Sequence, residues 1–157
     1  MNDPIRPCSE PDLPAVKAIV DAVALFPSEL LDDMISFEPP PGDGDEPRDF
    51  WVVHDDGAGP VGVACCAPER MTEGTWNALL LAVRPERQGE GIGAGLMARV
   101  EALLAARDAR VLLVETSGTD DFERTRGFYA RIGYEREAVI RGYYAAGDDK
   151  VVFRKAL

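Results

Sequence analysis

The chain has 157 residues, 46% of them hydrophobic, which is the size of one ordinary domain with enough apolar side chains for a core. A formal net charge of −11 argues against a nucleic-acid binder and against docking on an anionic membrane, yet tolerates a cationic partner such as an amine. Three cysteines without ligand spacing (Cys8, Cys65, Cys66), one histidine (His54), no apolar leader and no bilayer-length apolar run argue against a disulfide framework, a metal site and a membrane span, so a cytoplasmic single domain over residues 1–157 is expected.

Ile5, Arg6 and Pro7 predict a short first strand. Ser9 or Asp12 then caps a helix with Val16, Ile19, Val20 and Val23 at helical spacing. Residues 25–37 predict a second, shorter helical segment after Pro27. Residues 39–47, rich in Pro, Gly and acidic side chains, cannot pack a core and predict an exposed, mobile loop. Residues 50–54 and 61–67 predict a hairpin, with turn chemistry at Asp55, Asp56 and Gly57 between them.

Residues 76–83 predict a third apolar strand. A long helix opens at Gly91 or Gly93 and carries Leu96, Met97, Val100, Leu103 and Leu104 on one face. Residues 111–116 form a continuous apolar run, as in a buried central strand. These three elements make a β-α-β crossover, so the two strands are parallel inside an otherwise antiparallel sheet. Residues 122–132 predict a helix ended by Gly133, and residues 134–143 and 150–156 a last hairpin around Gly147.

The segment between the third strand and the long helix holds Gly89, Gly91, Gly93 and Gly95, four glycines in seven residues. Glycines let the backbone come close to a ligand, and unpaired N–H groups at a helix start make an anion site. A diphosphate is the natural guest. A Rossmann site is the rival reading, since Gly89, Gly91 and Ala94 fit its fingerprint loosely and Glu115 stands where a ribose ligand would. Against it, the glycines start several residues after the strand, and too little chain follows for a doubly wound sheet.

Gln88, Gly91 and Gly93, after a strand ending Leu81-Ala82-Val83, resemble the coenzyme motif of the GNAT family of N-acetyltransferases. Residues 126–134, with Phe128, Tyr129, Gly133 and Tyr134, resemble the family's second mark, and the element order agrees from Ile5 to Leu157. The resemblance implies an α/β (α+β) fold with a mixed, mostly antiparallel sheet of about six to seven strands, one splayed parallel pair and about four flanking helices. It implies acetyl-CoA as co-substrate, with no metal. Backbone groups of Leu81, Ala82 and Val83 would pair with the pantetheine arm and the acetyl carbonyl. Gln88, Gly89, Glu90, Gly91, Ile92, Gly93 and Ala94 would form the diphosphate loop. Tyr129 would lie near the coenzyme sulfur.

The chemistry needs positioning of a neutral amine, a donor for the developing oxyanion, and two proton transfers. The Val83 N–H is the candidate oxyanion donor and Tyr129 the candidate acid, although Tyr129 also reads as a core aromatic in step with Phe122, Phe128 and Ile132. Family members that acetylate histone tails carry a Glu where this chain has Asn77, which cannot act as a base. Glu115 is the best remaining carboxylate; Glu73 and a water chain are alternatives. Phe122 replaces a frequent family Asn, so Ser117 or the loop backbone is expected to make that coenzyme contact, and Arg124 and Arg126 are within sequence reach of the phosphates. A covalent cysteine lacks a histidine partner.

The acceptor is a small-molecule, amino-acid or peptide amine, walled by residues 26–37 and 141–149, including Tyr143 and Tyr144. A homodimer is left open. A non-catalytic acyl-CoA sensor on the same fold and a nucleotide-binding redox domain are the competing functions.

Overall fold

The computed structural model describes residues 3–157. A seven-stranded sheet runs in the order β1-β2-β3-β4-β5-β7-β6. Its strands are β1 (Ile5–Pro7), β2 (Phe50–Asp55), β3 (Pro60–Pro68), β4 (Thr75–Val83), β5 (Val111–Ser117), β6 (Glu135–Ala145) and β7 (Asp148–Ala156). The helices are α1 (Leu13–Val23), α2 (Leu31–Met34), α3 (Ile92–Ala105) and α4 (Glu123–Arg131). Only β4 and β5 pair in parallel; every other neighbour is antiparallel. That arrangement is incompatible with the doubly wound sheet of a Rossmann domain.

Two cores lie on opposite faces of the sheet. Leu96, Met97, Val100 and Leu104 of α3 are buried against Phe50, Val52, Trp76, Leu112, Val151 and Phe153. Their spacing places them on one helix face, and each fully buried leucine contributes about 1.5–3 kcal/mol. Val16, Ile19 and Val20 of α1 pack with Leu31 on Trp51, Val53, Val63, Cys65 and Leu80 on the other face.

Several segments differ from the sequence reading. The α1 helix is preceded by a 3₁₀ turn at Glu10–Asp12. Its entry is fixed by Asp12, whose Oδ2 accepts from the Ser9 backbone N–H at 2.8 Å and from the Ser9 hydroxyl at 2.9 Å. The second helical segment is only a 3₁₀ turn at Ser28–Leu30 followed by the four residues of α2. Ile35, in extended conformation, ends it there. Residues 42–47 are exposed as expected, but Pro41 is buried, and Arg107 donates to the carbonyls of Gly42 and Asp45.

The feature that creates a site is a fork in the sheet. Parallel pairing of β4 with β5 runs only from Thr75↔Val111 to Ala78↔Val114. At that point β4 has a bulge, because Cys66 opposes Ala78 while Cys65 opposes Leu80. Leu79 is left unpaired and 58% exposed. A bulge bends and twists its strand, which carries the second half of β4 away from β5.

Candidate active site

Past the fork, Arg84 donates its backbone N–H to the Val61 carbonyl at 2.9 Å. The antiparallel ladder alternates, so the backbone groups of Ala82 turn toward β3 while those of Leu81 and Val83 turn toward the open wedge. Gln88 donates its Nε2 to the Val83 carbonyl at 3.1 Å and thereby ties the glycine loop to the strand end. The Val83 N–H remains directed into the wedge.

A 3₁₀ turn, Pro85–Arg87, leads the loop round to α3. Gly89 and Gly91 have φ of +82° and +83°, a region that costs an L side chain about 1–2 kcal/mol. Gly91 is the N-cap of α3, and the first helical bond is accepted by its carbonyl from Gly95 N–H. The N–H groups of Ile92, Gly93 and Ala94 precede that bond and have no partner within the helix. No side chain caps this end. A Cβ at Gly93 would meet Phe128 Cζ at 3.4 Å, so glycine also lets α3 sit close to α4.

These elements enclose a cleft of about 350 Å³. Leu81, Val83, Arg87, Gln88, Gly89, Gly91, Ile92, Gly93 and Ala94 form one side, and Arg124, Thr125, Phe128, Tyr129 and Arg131 of α4 the other. Three arginines and no carboxylate line it, in a chain whose formal net charge is −11. Donor amides, a helix N-terminus and guanidinium groups together suit a polyanion such as a diphosphate. Among the described residues no cluster of His, Cys, Asp or Glu is placed to hold a metal ion, and no helix is long and apolar enough to cross a membrane.

Tyr129 lies at the inner end of the cleft, 5% exposed, with edge-on contacts to Phe128 and Tyr134. Burial pushes its phenol well above the ordinary value of 10. Its ring is thus a core aromatic that also borders the cleft.

The remaining expected residues are distributed differently. Glu115 does not line the cleft. It lies on the opposite face of the sheet, where Oε2 accepts from Lys150 Nζ at 2.7 Å and Oε1 from Asn77 Nδ2 at 2.9 Å. The same Asn77 nitrogen donates to Glu69 Oε1 at 2.9 Å. The Ser117 hydroxyl bonds to Asp148 and Thr119 and is turned away from the cleft. Arg126 donates to the carbonyls of Ser117 and Thr119, fastening that loop, whereas Arg124 reaches the cleft. Glu73 lines a separate cavity of about 390 Å³ near Trp76 and Arg110, at the other end of β4. Cys65 and Cys66 are buried, and desolvation pushes both thiols up, which removes nucleophilic thiolate at neutral pH.

Sequence reasoning missed Thr125 and Arg131. A signal existed: Arg124, Phe128 and Arg131 recur at intervals of four and three residues and share one face of α4.

A family model described as an acetyltransferase (GNAT) domain matches residues 46–136. Among solved structures, a protein from Desulfovibrio desulfuricans described as a GNAT-family acetyltransferase is 31% identical, with a TM-score of 0.83 over 97% of each chain. An aminoglycoside 6′-N-acetyltransferase solved with coenzyme A is 19% identical, with a TM-score of 0.73 over 97% of this chain and 96% of that one. The ribosomal-protein-S18-alanine N-acetyltransferase of Escherichia coli is 18% identical, with a TM-score of 0.74 over 97% and 92%. A search of curated protein sequences gives no match. Fork, glycine loop, arginine-lined cleft and these likenesses agree: the chain belongs to the GNAT family of acetyltransferases and is an acyltransferase by class.

Proposed function

We propose that the protein transfers acetyl from acetyl-CoA to the primary amine of a small molecule, amino acid or peptide, by direct attack in a ternary complex. Residues 1–157 then form one catalytic domain. The observation that carries the proposal is the cleft at the fork between β4 and β5, lined by the glycine loop and by arginines. The amides of residues 89–94, with Arg124 and Arg131, hold the diphosphate. Backbone groups of Leu81 and Val83 align the pantetheine arm in the open wedge. Relatives of this fold named for an aminoglycoside and for a ribosomal-protein alanine span small-molecule and protein acceptors.

In the reaction, the ammonium first loses a proton through water to Glu115, which Asn77 and Lys150 hold in one orientation near the closed end of the wedge. The free amine adds to the thioester carbon, and the Val83 N–H stabilises the oxyanion. Collapse breaks the carbon–sulfur bond. Tyr129 gives its proton to the leaving thiolate and recovers one from the new amide nitrogen through water, so one proton is released per turnover. The high phenol pKa keeps Tyr129 protonated until the thiolate forms.

Calorimetry with acetyl-CoA and with NAD tests the binding half of this assignment. Saturable binding of acetyl-CoA alone is expected; equal or better binding of NAD would return the site to a nucleotide-binding role.

A further inference from the structure

Asn77 lies on the paired stretch of β4 just before the unpaired Leu79, and it is 3% exposed. Its Nδ2 donates to Glu69 Oε1 and to Glu115 Oε1, each at 2.9 Å, so one amide nitrogen draws two carboxylates together on the face away from the coenzyme cleft. The two carboxylates are not equivalent. Glu115 is balanced by Lys150, 2.7 Å from its second oxygen, and Lys150 is further committed to the Tyr143 ring. Glu69 pairs with no cation among the described residues. The Oδ1 of Asn77 is buried beside it without a hydrogen-bond partner. A buried acceptor left without a donor is costly and calls for a partner. Both missing partners are of one kind, a donor that carries positive charge.

We infer that the acceptor is a dication, and that Glu69 with the Asn77 amide oxygen holds the ammonium that is not acetylated; the inference rests on the acetyl-transfer reading above. An alkylammonium brings three donors and one positive charge, which suits a carboxylate and an amide oxygen together. A neighbouring carboxylate favours the charged form, so an ammonium held there stays protonated. It is therefore an anchor and not the attacking nitrogen, which must be neutral and lie beside the Val83 N–H. Charge elsewhere agrees. The segments expected to wall the acceptor, residues 26–37 and 141–149, carry Glu29, Asp32, Asp33, Asp148 and Asp149 against Arg141 alone. The coenzyme cleft carries three arginines and no carboxylate. Opposite fields on the two sides separate a polyanionic coenzyme from a polycationic acceptor.

Calorimetry on the full chain loaded with coenzyme A tests the inference, comparing putrescine with n-butylamine and cadaverine with n-pentylamine. In the wild type each diamine is expected to bind roughly tenfold or more tightly than its monoamine. Glu69→Gln keeps an oxygen for Asn77 and removes the charge, so the diamine preference is expected to vanish. Glu69→Asp retains the charge and is expected to keep part of it. Acetyl-CoA affinity in each variant reports an intact fold. A wild type that binds diamines no better than monoamines, or a preference that survives in Glu69→Gln, would overturn the inference. Binding is read without turnover, so the two readings fail separately. A diamine held through Glu69 but never acetylated keeps the anchor and sinks acetyl transfer to it. Acetylation of monoamines with no diamine preference keeps acetyl transfer and sinks the anchor.

Discussion

Lys150 places its Nζ 2.7 Å from Glu115 Oε2 and 3.8 Å from the centroid of the Tyr143 ring, joining β5, β7 and the end of β6 in one contact. Burial works to lower the Lys150 pKa, but the bonds to Glu115 and Tyr143 outweigh it and the net shift is upward. A raised lysine contributes stability that is complete below its ordinary value of 10.5 and is lost as pH climbs through the raised value. Lys150→Met should therefore lower stability by about 1–3 kcal/mol, less than for a fully buried pair because the Glu115 side chain is 30% exposed. Denaturant titration measures the loss. Its disappearance above pH 10.5 in a comparison with wild type checks the sign.

A second prediction concerns acid stability. Arg6 donates Nη1 to Asp12 Oδ2 at 2.7 Å, and Nη2 to Asp12 Oδ1 at 2.9 Å and Asp55 Oδ2 at 2.8 Å. The Arg6 guanidinium, aided by Ser9, holds Asp12 at about 2, below its ordinary 3.8. A depressed carboxyl contributes stability present above pH 3.8 and lost as pH falls toward 2. Arg6→Ala should move the acid-unfolding midpoint upward, with little difference between the proteins below pH 2. Far-ultraviolet circular dichroism against pH follows both transitions; an unchanged midpoint would make the ion pair energetically idle.

Tyr129→Phe keeps the buried ring and removes the proton. Turnover should fall by roughly 10²–10⁴-fold, nearer the lower end because a thiolate is a fair leaving group. Acetyl-CoA affinity and melting temperature should hardly change, since no hydrogen bond of this hydroxyl is present among the described residues. In the wild type, the upward-shifted phenol predicts no loss of rate from Tyr129 ionisation near pH 10. Near wild-type turnover in the variant would leave Tyr129 as a packing residue only.

Gly91 separates strain from charge. Its φ of +83° penalises any side chain, yet a Cβ there meets nothing within 4 Å. Gly91→Ala should thus cost about 1–2 kcal/mol of stability from backbone strain and retain measurable coenzyme affinity. Gly91→Glu adds a negative charge at the helix start and should abolish binding by calorimetry. Equal affinity in the two variants would remove the diphosphate from this loop.

Much of this architecture is legible because hydrophobic period and glycine placement are local signals. The α3 helix and β5 follow directly from them, and the helix start is narrowed to Gly91 or Gly93, of which Gly91 is the N-cap. The fork does not, since it depends on a bulge at Leu79 that only the pairing of β3 with β4 reveals. Of the cleft-lining residues, Tyr129 stands in a recognisable motif, whereas Arg131 is legible only from the helical face of α4. Glu115 was identified as a carboxylate at a strand end, but its partners Lys150, Asn77 and Glu69 come from three distant segments that meet only across the folded sheet. Ser117 shows the converse, because its hydroxyl is claimed by Asp148, 31 residues away in sequence.

Transfer of acetyl to an amine is tested by release of the coenzyme thiol by the purified full chain across a panel of amines, amino acids and peptides. Mass spectrometry of the acceptors then identifies the product. Amine-dependent thiol release is expected, with an acceptor heavier by one acetyl group, lost in Gly91→Glu and slowed in Tyr129→Phe. Tight acetyl-CoA binding with no acetylated product from any amine class would contradict it and leave a non-catalytic acyl-CoA sensor on the same fold.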